Sequence, residues 1–125
     1  KDGEIKAILW HQGESDADGG GLEASYVERL AKMVAALRAE LGLKAEDVPF
    51  IFGSLAELEG APNYEVNRSF NRAVRSAVDR IPNSVRVEGS DLSCNEDKVH
   101  FSTRSLRTLG ARYAAAYLAL SGGAR

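Results

Sequence analysis

The fold class follows from Val48-Pro49-Phe50-Ile51-Phe52-Gly53, a short apolar run that ends at a glycine. A run of this kind is typical of a strand that is buried on both faces of a sheet. Residues 5–10 form a similar run, and Val85, Val87 and Leu92 mark a third strand region. The sequence therefore predicts three strands, and the first two are expected to be buried.

A segment with helical spacing follows each predicted strand. Apolar residues recur every three or four positions over 26–41, 66–81 and 106–120. The first of these helices is expected to end at Gly42, since glycine favours the backbone conformation that closes a helix. The order β-α-β-α-β-α predicts an α/β fold, with a parallel sheet, helices packed on it and right-handed crossovers.

Length and composition limit the classes of protein to consider. The 125 residues suffice for one domain, and a composition of 44% hydrophobic and 27% charged residues excludes a disordered chain. A net charge of -2 argues against nucleic acid or an anionic membrane as the main partner. No apolar run reaches the roughly 20 residues of a membrane span. The single cysteine excludes an intrachain disulfide.

The candidate site is expected beyond the carboxyl ends of the strands, where parallel sheets place their ligand crevice. Three loops meet this condition, at residues 11–21, 53–65 and 89–103. The first and third are rich in reactive side chains and the middle one is not. The search for chemistry therefore concentrates on the first and third loops.

The first loop reads Trp10-His11-Gln12-Gly13-Glu14-Ser15-Asp16-Ala17-Asp18. The side chain of Gln12 offers amide donors, and Gly13 lets the backbone approach a ligand closely. Donors fixed at the end of a rigid strand are what an oxyanion hole needs. A plain polar turn with a solvated glutamine is the alternative, and the spacing alone leaves both open.

Other interpretations of this loop fit the residues less well. Residues 13–17 resemble the Gly-x-Ser-x-Gly nucleophile elbow around Ser15, but the last glycine and an immediately following helix are missing. Residues 16–20 resemble the start of a calcium loop whose closing glutamate is absent, because residue 27 is valine. His11 and the loop's carboxylates could bind a metal, yet a lone histidine is more often structural. We expect no metal.

The third loop contains Asp97 and His100, three residues apart. A turn with this spacing can bring the carboxylate to Nδ1 of the imidazole, which fixes the tautomer and leaves Nε2 to accept a proton. The alternative is an aspartate that caps a turn beside a surface histidine. Cys94 could instead be a nucleophile with His100 as its base, but no helix begins behind it to lower the pKa of its thiol.

Together these motifs carry a family resemblance. The string at 10–17 and Asp97-Lys98-Val99-His100-Phe101-Ser102 resemble the carbohydrate-esterase branch of the SGNH hydrolases. This is the sialate O-acetylesterase-like group, which includes the acetylxylan esterases of carbohydrate esterase family 6. The run 67–82 is similar to the helix between the two motifs. The resemblance implies a three-layer, flavodoxin-like α/β/α fold, of which this chain holds about three βα units.

The resemblance also implies an activity, namely a serine esterase that removes acetyl groups from sugars without a metal or cofactor. In this family's pattern His100 is the general base and Asp97 its orienting acid. Gln12 and Gly13 lie on the oxyanion side, and Glu14 is a buried carboxylate that supports the loop. The family's carbohydrate substrates suggest the periplasm or the outside of the cell.

The chain departs from this family in one large respect. The family's nucleophilic serine lies in an upstream Gly-Gln-Ser-Asn block, which does not occur in these 125 residues, and the block with the oxyanion glycine is also absent. We therefore expect residues 1–125 to be the C-terminal part of one esterase domain, inactive alone. Residues 5–10 are expected to pair with a strand from the missing half or another chain. A non-catalytic module that binds carbohydrate or another partner is the alternative.

Overall fold

A computed structural model describes residues 3–18 and 21–122. Its elements, in chain order, are β1 (Ile8–Trp10), α1 (Glu14–Ala17), α2 (Glu23–Glu40), β2 (Phe50–Gly53), α3 (Tyr64–Val74), α4 (Ala77–Arg80), β3 (Ser84–Val87) and α5 (Thr103–Gly122). The three strands are parallel and lie in the order β1-β2-β3. The predicted α/β fold of three βα units, flavodoxin-like in its parallel sheet, is confirmed.

Helices cover both faces of the sheet, because side chains along β2 alternate between them. Phe50 and Phe52 pack against α2, α3 and α4, whereas Ile51 packs against α5. All three side chains are at most 1% exposed. The result is three layers with β2 at the centre. None of the helices in the described ranges is long and apolar enough to cross a membrane.

The first strand differs from its prediction in length and in burial. It begins at Ile8 rather than Ile5, and it lies at the edge of the sheet that these residues form. Leu9 pairs with Ile51 and shares its face, yet 59% of Leu9 is exposed. The reason is that α5 packs on β2 and β3 and leaves this side of β1 uncovered.

Three details of the secondary structure differ from the prediction. The helix expected over 66–81 breaks into α3 and α4, where the hydroxyl of Ser76 donates to the carbonyl of Ala73 and competes with the helical pattern. Leu92 lies in a turn after β3 rather than in the strand. Residues 14–17 form a helical turn, α1, inside the first loop, closed by a bond from the N–H of Ala17 to the carbonyl of Gly13.

The opposite end of the sheet is closed by Arg38 of α2, which is 6% exposed. Its guanidinium donates to the carbonyls of Pro82 and Val48, each at 2.9 Å. These carbonyls precede β3 and β2, so one side chain fixes the entry to both strands. Burial lowers the pKa of Arg38 because the charge is desolvated.

Candidate active site

The three loops meet at the carboxyl edge of the sheet, as expected for parallel strands. The rings of His11 and Phe101 lie with centroids 5.3 Å apart, so the first and third loops are in direct contact. Gly53, at the end of β2, lies beneath them. A methyl group on Gly53 would come within 2.5 Å of Nδ1 of His11 and 2.6 Å of the Tyr113 hydroxyl. Only glycine allows this close approach.

The third loop is a narrow antiparallel hairpin rather than an irregular polar segment. The N–H of Asn95 donates to the carbonyl of His100 at 2.8 Å, and the N–H of Ser102 donates to Ser93 at 3.0 Å. Cys94 and Phe101 form an antiparallel bridge between these bonds. The buried ring of Phe101 anchors the hairpin in the core. Its tip, residues 95–99, therefore stands on a fixed base.

Asp97 and His100 meet at this tip in the predicted geometry. Oδ1 of Asp97 accepts the backbone N–H groups of Val99 at 2.9 Å and His100 at 3.0 Å. Oδ2 lies 2.8 Å from Nδ1 of the His100 ring. The Val99 bond, followed by the His100 bonds, lowers the pKa of Asp97 to about 2. The carboxylate is therefore ionised at neutral pH.

Nδ1 of His100 is hydrogen-bonded to Asp97, whereas Nε2 has no hydrogen-bond partner among the residues that the structure describes. The hydrogen bond to Asp97, together with its charge, raises the pKa of His100, and the charge of Glu14 adds to this effect. The His100 side chain is 75% exposed. Among the described residues no hydroxyl lies within hydrogen-bonding distance of Nε2. The arrangement offers a proton acceptor whose tautomer is fixed by Asp97.

Cys94 does not form a dyad with His100. Its Sγ lies 3.7 Å from the carbonyl of Val99, and its backbone belongs to the hairpin ladder. Partial burial, together with the charge of Asp97, raises the pKa of the Cys94 thiol. A raised pKa reduces the thiolate fraction that a nucleophile needs, so the geometry disfavours a thiol hydrolase.

Gln12 is held by a network at the open edge of β1. Its Nε2 donates to Asp16 at 2.9 Å, and the Tyr26 hydroxyl donates to its backbone carbonyl at 2.8 Å. Asp16 is paired with Arg29 at 2.5 Å. The Gln12 hydrogen bond, followed by Arg29, lowers the pKa of Asp16. Gln12 therefore lies with Asp16, Tyr26 and Arg29 in a small cavity separate from the one that Asp97 lines.

Gly13 occupies a position that a side chain cannot. Its φ is 153°, and an added Cβ would lie 2.3 Å from Cζ of Phe70. The N–H of Gly13 donates to Oε2 of Glu14 at 3.0 Å. Glu14 was expected to be buried, but it is only partly buried, because α1 leaves its side chain along the rim of a cleft.

That cleft, of about 480 Å³, lies beside the hairpin tip. One wall is α1 with Glu14 and Ser15, a second is the start of α3, and the third is residues 96–99. Ser15 is exposed on this rim and makes no hydrogen bond to His100 among the residues described. Within residues 3–18 and 21–122 there is no group of three or more histidine, cysteine or carboxylate side chains placed to hold a metal.

Two asparagines of α3, Asn67 and Asn71, shape the middle loop, and their role was not predicted from the sequence. Asn71 accepts from the N–H of Leu55 and donates to its carbonyl, both at 2.8 Å, as a neighbouring strand would. Asn67 donates to the carbonyl of Ala56 at 2.8 Å. Both are buried beside Phe70. Their spacing of four residues places both on the apolar side of the helix, and this pattern could have indicated that they are buried and hydrogen-bonded.

The second and third loops are also joined. The hydroxyl of Ser54 donates to Glu88 at 2.5 Å and accepts the N–H of Gly89 at 2.7 Å. Ser54 is only 2% exposed, so its hydroxyl acts as a buried connector and is closed to a substrate. All three loops therefore form one connected edge.

Comparisons with known proteins agree with this arrangement. A family model described as carbohydrate esterase, sialic acid-specific acetylesterase, matches residues 1–119. An Arabidopsis thaliana protein named "Probable carbohydrate esterase At4g34215" is 31% identical over 116 residues, which is 93% of this chain and 41% of that protein. The crystal structure from the same Arabidopsis locus superposes with a TM-score of 0.75 at 32% identity, covering 94% of this chain and 45% of that one. The chain thus spans less than half the length of these relatives.

Proposed function

The chain belongs to the sialic acid-specific acetylesterase family of carbohydrate esterases, and from this premise we propose that it carries the general base of a serine O-acetylesterase acting on sugars. The observation that carries the proposal is the 2.8 Å contact between Asp97 and Nδ1 of His100, with Nε2 left free. This is the orientation that a base needs in order to activate a hydroxyl. No metal or cofactor takes part in the proposed reaction.

The proposed reaction has two steps, both served by His100. Nε2 takes the proton of a serine hydroxyl as its oxygen attacks the acetyl carbonyl, and then gives that proton to the departing sugar oxygen. Water next attacks the acetyl-serine, with Nε2 again taking a proton and returning it to the serine. Asp97 stabilises the imidazolium through both steps because its carboxylate is ionised and fixed by three hydrogen bonds.

We assign the oxyanion side to the first loop. Gln12 is a preorganised donor, since Asp16 accepts one of its amide N–H groups and the Tyr26 hydroxyl holds its backbone carbonyl. Gly13 lets the backbone lie close to the reacting carbonyl, and Glu14 holds the N–H of Gly13. A donor that is already oriented needs no reorganisation as charge develops on the oxygen, which is what makes such groups effective.

The serine itself is proposed to come from a segment outside these 125 residues. Support comes from the edge of β1, which is apolar and unpaired in the described part of the chain. A groove of about 680 Å³ runs between β1 and α5. Its apolar walls include Leu9, Trp10, Leu106, Leu109, Tyr113 and Tyr117. Such an edge is a template for another strand, and such a groove is suited to a helix.

We therefore propose that a further parallel strand pairs with β1 and that its following helix fills this groove. More than half of the matched Arabidopsis chain lies outside the match, which is ample length for such a unit. The reading frame upstream of Lys1 tests this directly. It is expected to encode a Gly-Gln-Ser-Asn block, and a start codon immediately before Lys1 would contradict the proposal.

A non-catalytic carbohydrate-binding module is the second candidate, favoured by the lack of a described hydroxyl at His100. Acetate release separates the two. The polypeptide as its gene encodes it, given an acetylated sugar or an aryl acetate, is expected to release acetate, and the 125-residue chain alone is expected to release none. Binding of the sugar without acetate release from either polypeptide would support the module and refute the esterase.

A further inference from the structure

Asn63 stands at the start of α3 but does not perform the task usual for that position. Asparagine before a helix normally accepts a backbone N–H of the first turn with its side chain. Here the side chain makes no such bond, and only the backbone carbonyl of Asn63 enters the helix, accepting the N–H of Asn67 at 2.9 Å. The amide of Asn63 is used elsewhere.

That amide reaches the hairpin tip. Nδ2 of Asn63 donates to the carbonyl of Lys98 at 3.1 Å, linking two segments 35 residues apart. Lys98 lies between Asp97 and the Val99–His100 pair, and its φ of 57° is in the left-handed region. This conformation is unfavourable for a lysine, so an external contact that holds it has a structural consequence. It is the turn that brings both N–H groups onto Asp97.

The other end of the contact is fixed. Asn67, one turn further along α3, donates to the carbonyl of Ala56, and Asn71 pairs with both backbone groups of Leu55. The start of α3 is therefore tied to the segment that follows the central strand β2. A hydrogen bond from Asn63 transmits that fixed position to the tip of the hairpin, which is otherwise exposed on the molecular surface.

We propose that Asn63 is a positioning residue, which holds the Lys98 turn so that the carboxylate of Asp97 faces the imidazole of His100. Its importance for hydrolysis rests on the function proposed above, whereas its effect on the geometry does not. Because Asn63 also lines the cleft beside the tip, the same contact sets the distance between the two cleft walls. The middle loop supplies no acid or base to the site, but through Asn63 it positions the residues that do.

The test uses Asn63→Ser in the 125-residue chain. Serine caps a helix about as well as asparagine and is neutral, but it is too short to reach the carbonyl of Lys98. The imidazole titrations are followed by NMR, and the chain has only two histidines, so His11→Gln identifies the signal of His100. Amide exchange of Val99 and His100 is measured on the same samples.

The matched control is Asn83→Ser. Asn83 also donates its amide to a backbone carbonyl of another segment, that of Ala45 at 2.8 Å, but at the opposite end of the sheet. The φ of Asn83 is 49°, which serine favours less than asparagine, so this control loses at least as much stability as the bond alone supplies and is a stringent one.

In Asn63→Ser the pKa of His100 is expected to fall towards its ordinary value, and both amides to exchange about fivefold faster, as loss of one hydrogen bond allows. Asn83→Ser is expected to change neither. An unaltered His100 titration in Asn63→Ser, or an equal change in the control, would overturn the positioning role. Neither result depends on whether the gene-encoded polypeptide hydrolyses an ester, so failure of the proposed function is recognised separately.

Discussion

At the scale of single residues, the site depends on the carboxylate of Asp97, whose hydrogen bonds are all made within the hairpin. Asp97 accepts two backbone N–H groups and one imidazole N–H within a span of four residues. This pair was predictable from the sequence because all its partners are local. The environment of Gln12 was not, since Tyr26 and Arg29 come from α2 and no spacing in the first loop indicates them.

Asp97 sets the pH dependence of the proposed reaction through its hydrogen bond to His100 and through its charge. A base works only when neutral, and the pKa of His100 is raised above 6.5, so kcat/KM is expected to rise with pH through a midpoint above that value. In Asp97→Asn the pKa-raising charge is lost, and the midpoint should move down while kcat falls roughly 10²- to 10⁴-fold. A pH profile of acetate release checks both. An unchanged midpoint would show that Asp97 does not act on the base.

A substitution at Gly13 tests whether the backbone of the first loop must lie close to the ring of Phe70. The Cβ of Gly13→Ala would collide with the ring of Phe70, and we expect a loss of about 1–3 kcal/mol in the free energy of unfolding. Gly110→Ala is the control, because that glycine is inside α5 with open space around it, and alanine there should stabilise by about 0.5–1 kcal/mol. Denaturant titrations measure both. Equal small effects would mean that the contact with Phe70 is not tight.

At the scale of secondary-structure elements, periodicity predicted the strand–helix alternation, and its errors have local causes. The predicted second helix is interrupted at Ser76, whose hydroxyl donates to the carbonyl of Ala73. The helix α1 was not predicted because it is a single turn without an apolar stripe. The hairpin of the third loop was missed because its ladder is short and polar. The asparagines of α3 were missed because their partners lie in another segment, so their role exists only in the folded chain.

Asn71 provides a test at this scale. Asn71→Ala leaves the N–H and the carbonyl of Leu55 without their partner in a buried place. Each unsatisfied group costs about 1–3 kcal/mol, so thermal or denaturant unfolding should show a loss of at least about 2 kcal/mol. Arg72→Ala, on the exposed side of the same helix, should change stability little. A similarly small effect at Asn71 would mean that water replaces the side chain.

At the scale of the whole molecule, the two faces of the sheet are unequally covered. The face bearing Phe50 and Phe52 is closed by three helices, whereas on the other α5 alone leaves Leu9 at the edge exposed. The alternation of elements predicted the layers. It could not predict which strand lies at the edge, because the alternation of strands and helices does not say which strands are neighbours in the sheet.

Leu9 is where the open edge can be probed. Since 59% of it is exposed, Leu9→Lys should cost little in the stability of the 125-residue chain and should reduce binding of a dye that senses apolar surface. In the polypeptide as its gene encodes it, the same change should lower the free energy of unfolding several-fold more, if the proposed helix fills the groove. Equal effects in the two polypeptides would argue that nothing packs there.

The most direct test of the central claim is acetate release by His100→Gln in the polypeptide as its gene encodes it. Glutamine keeps a polar side chain of similar reach but cannot take up a proton at neutral pH. The account predicts a fall of at least about 10²-fold in kcat, with folding and sugar binding retained. Acetate release near the level of the unaltered protein would contradict the assignment of His100 as the base.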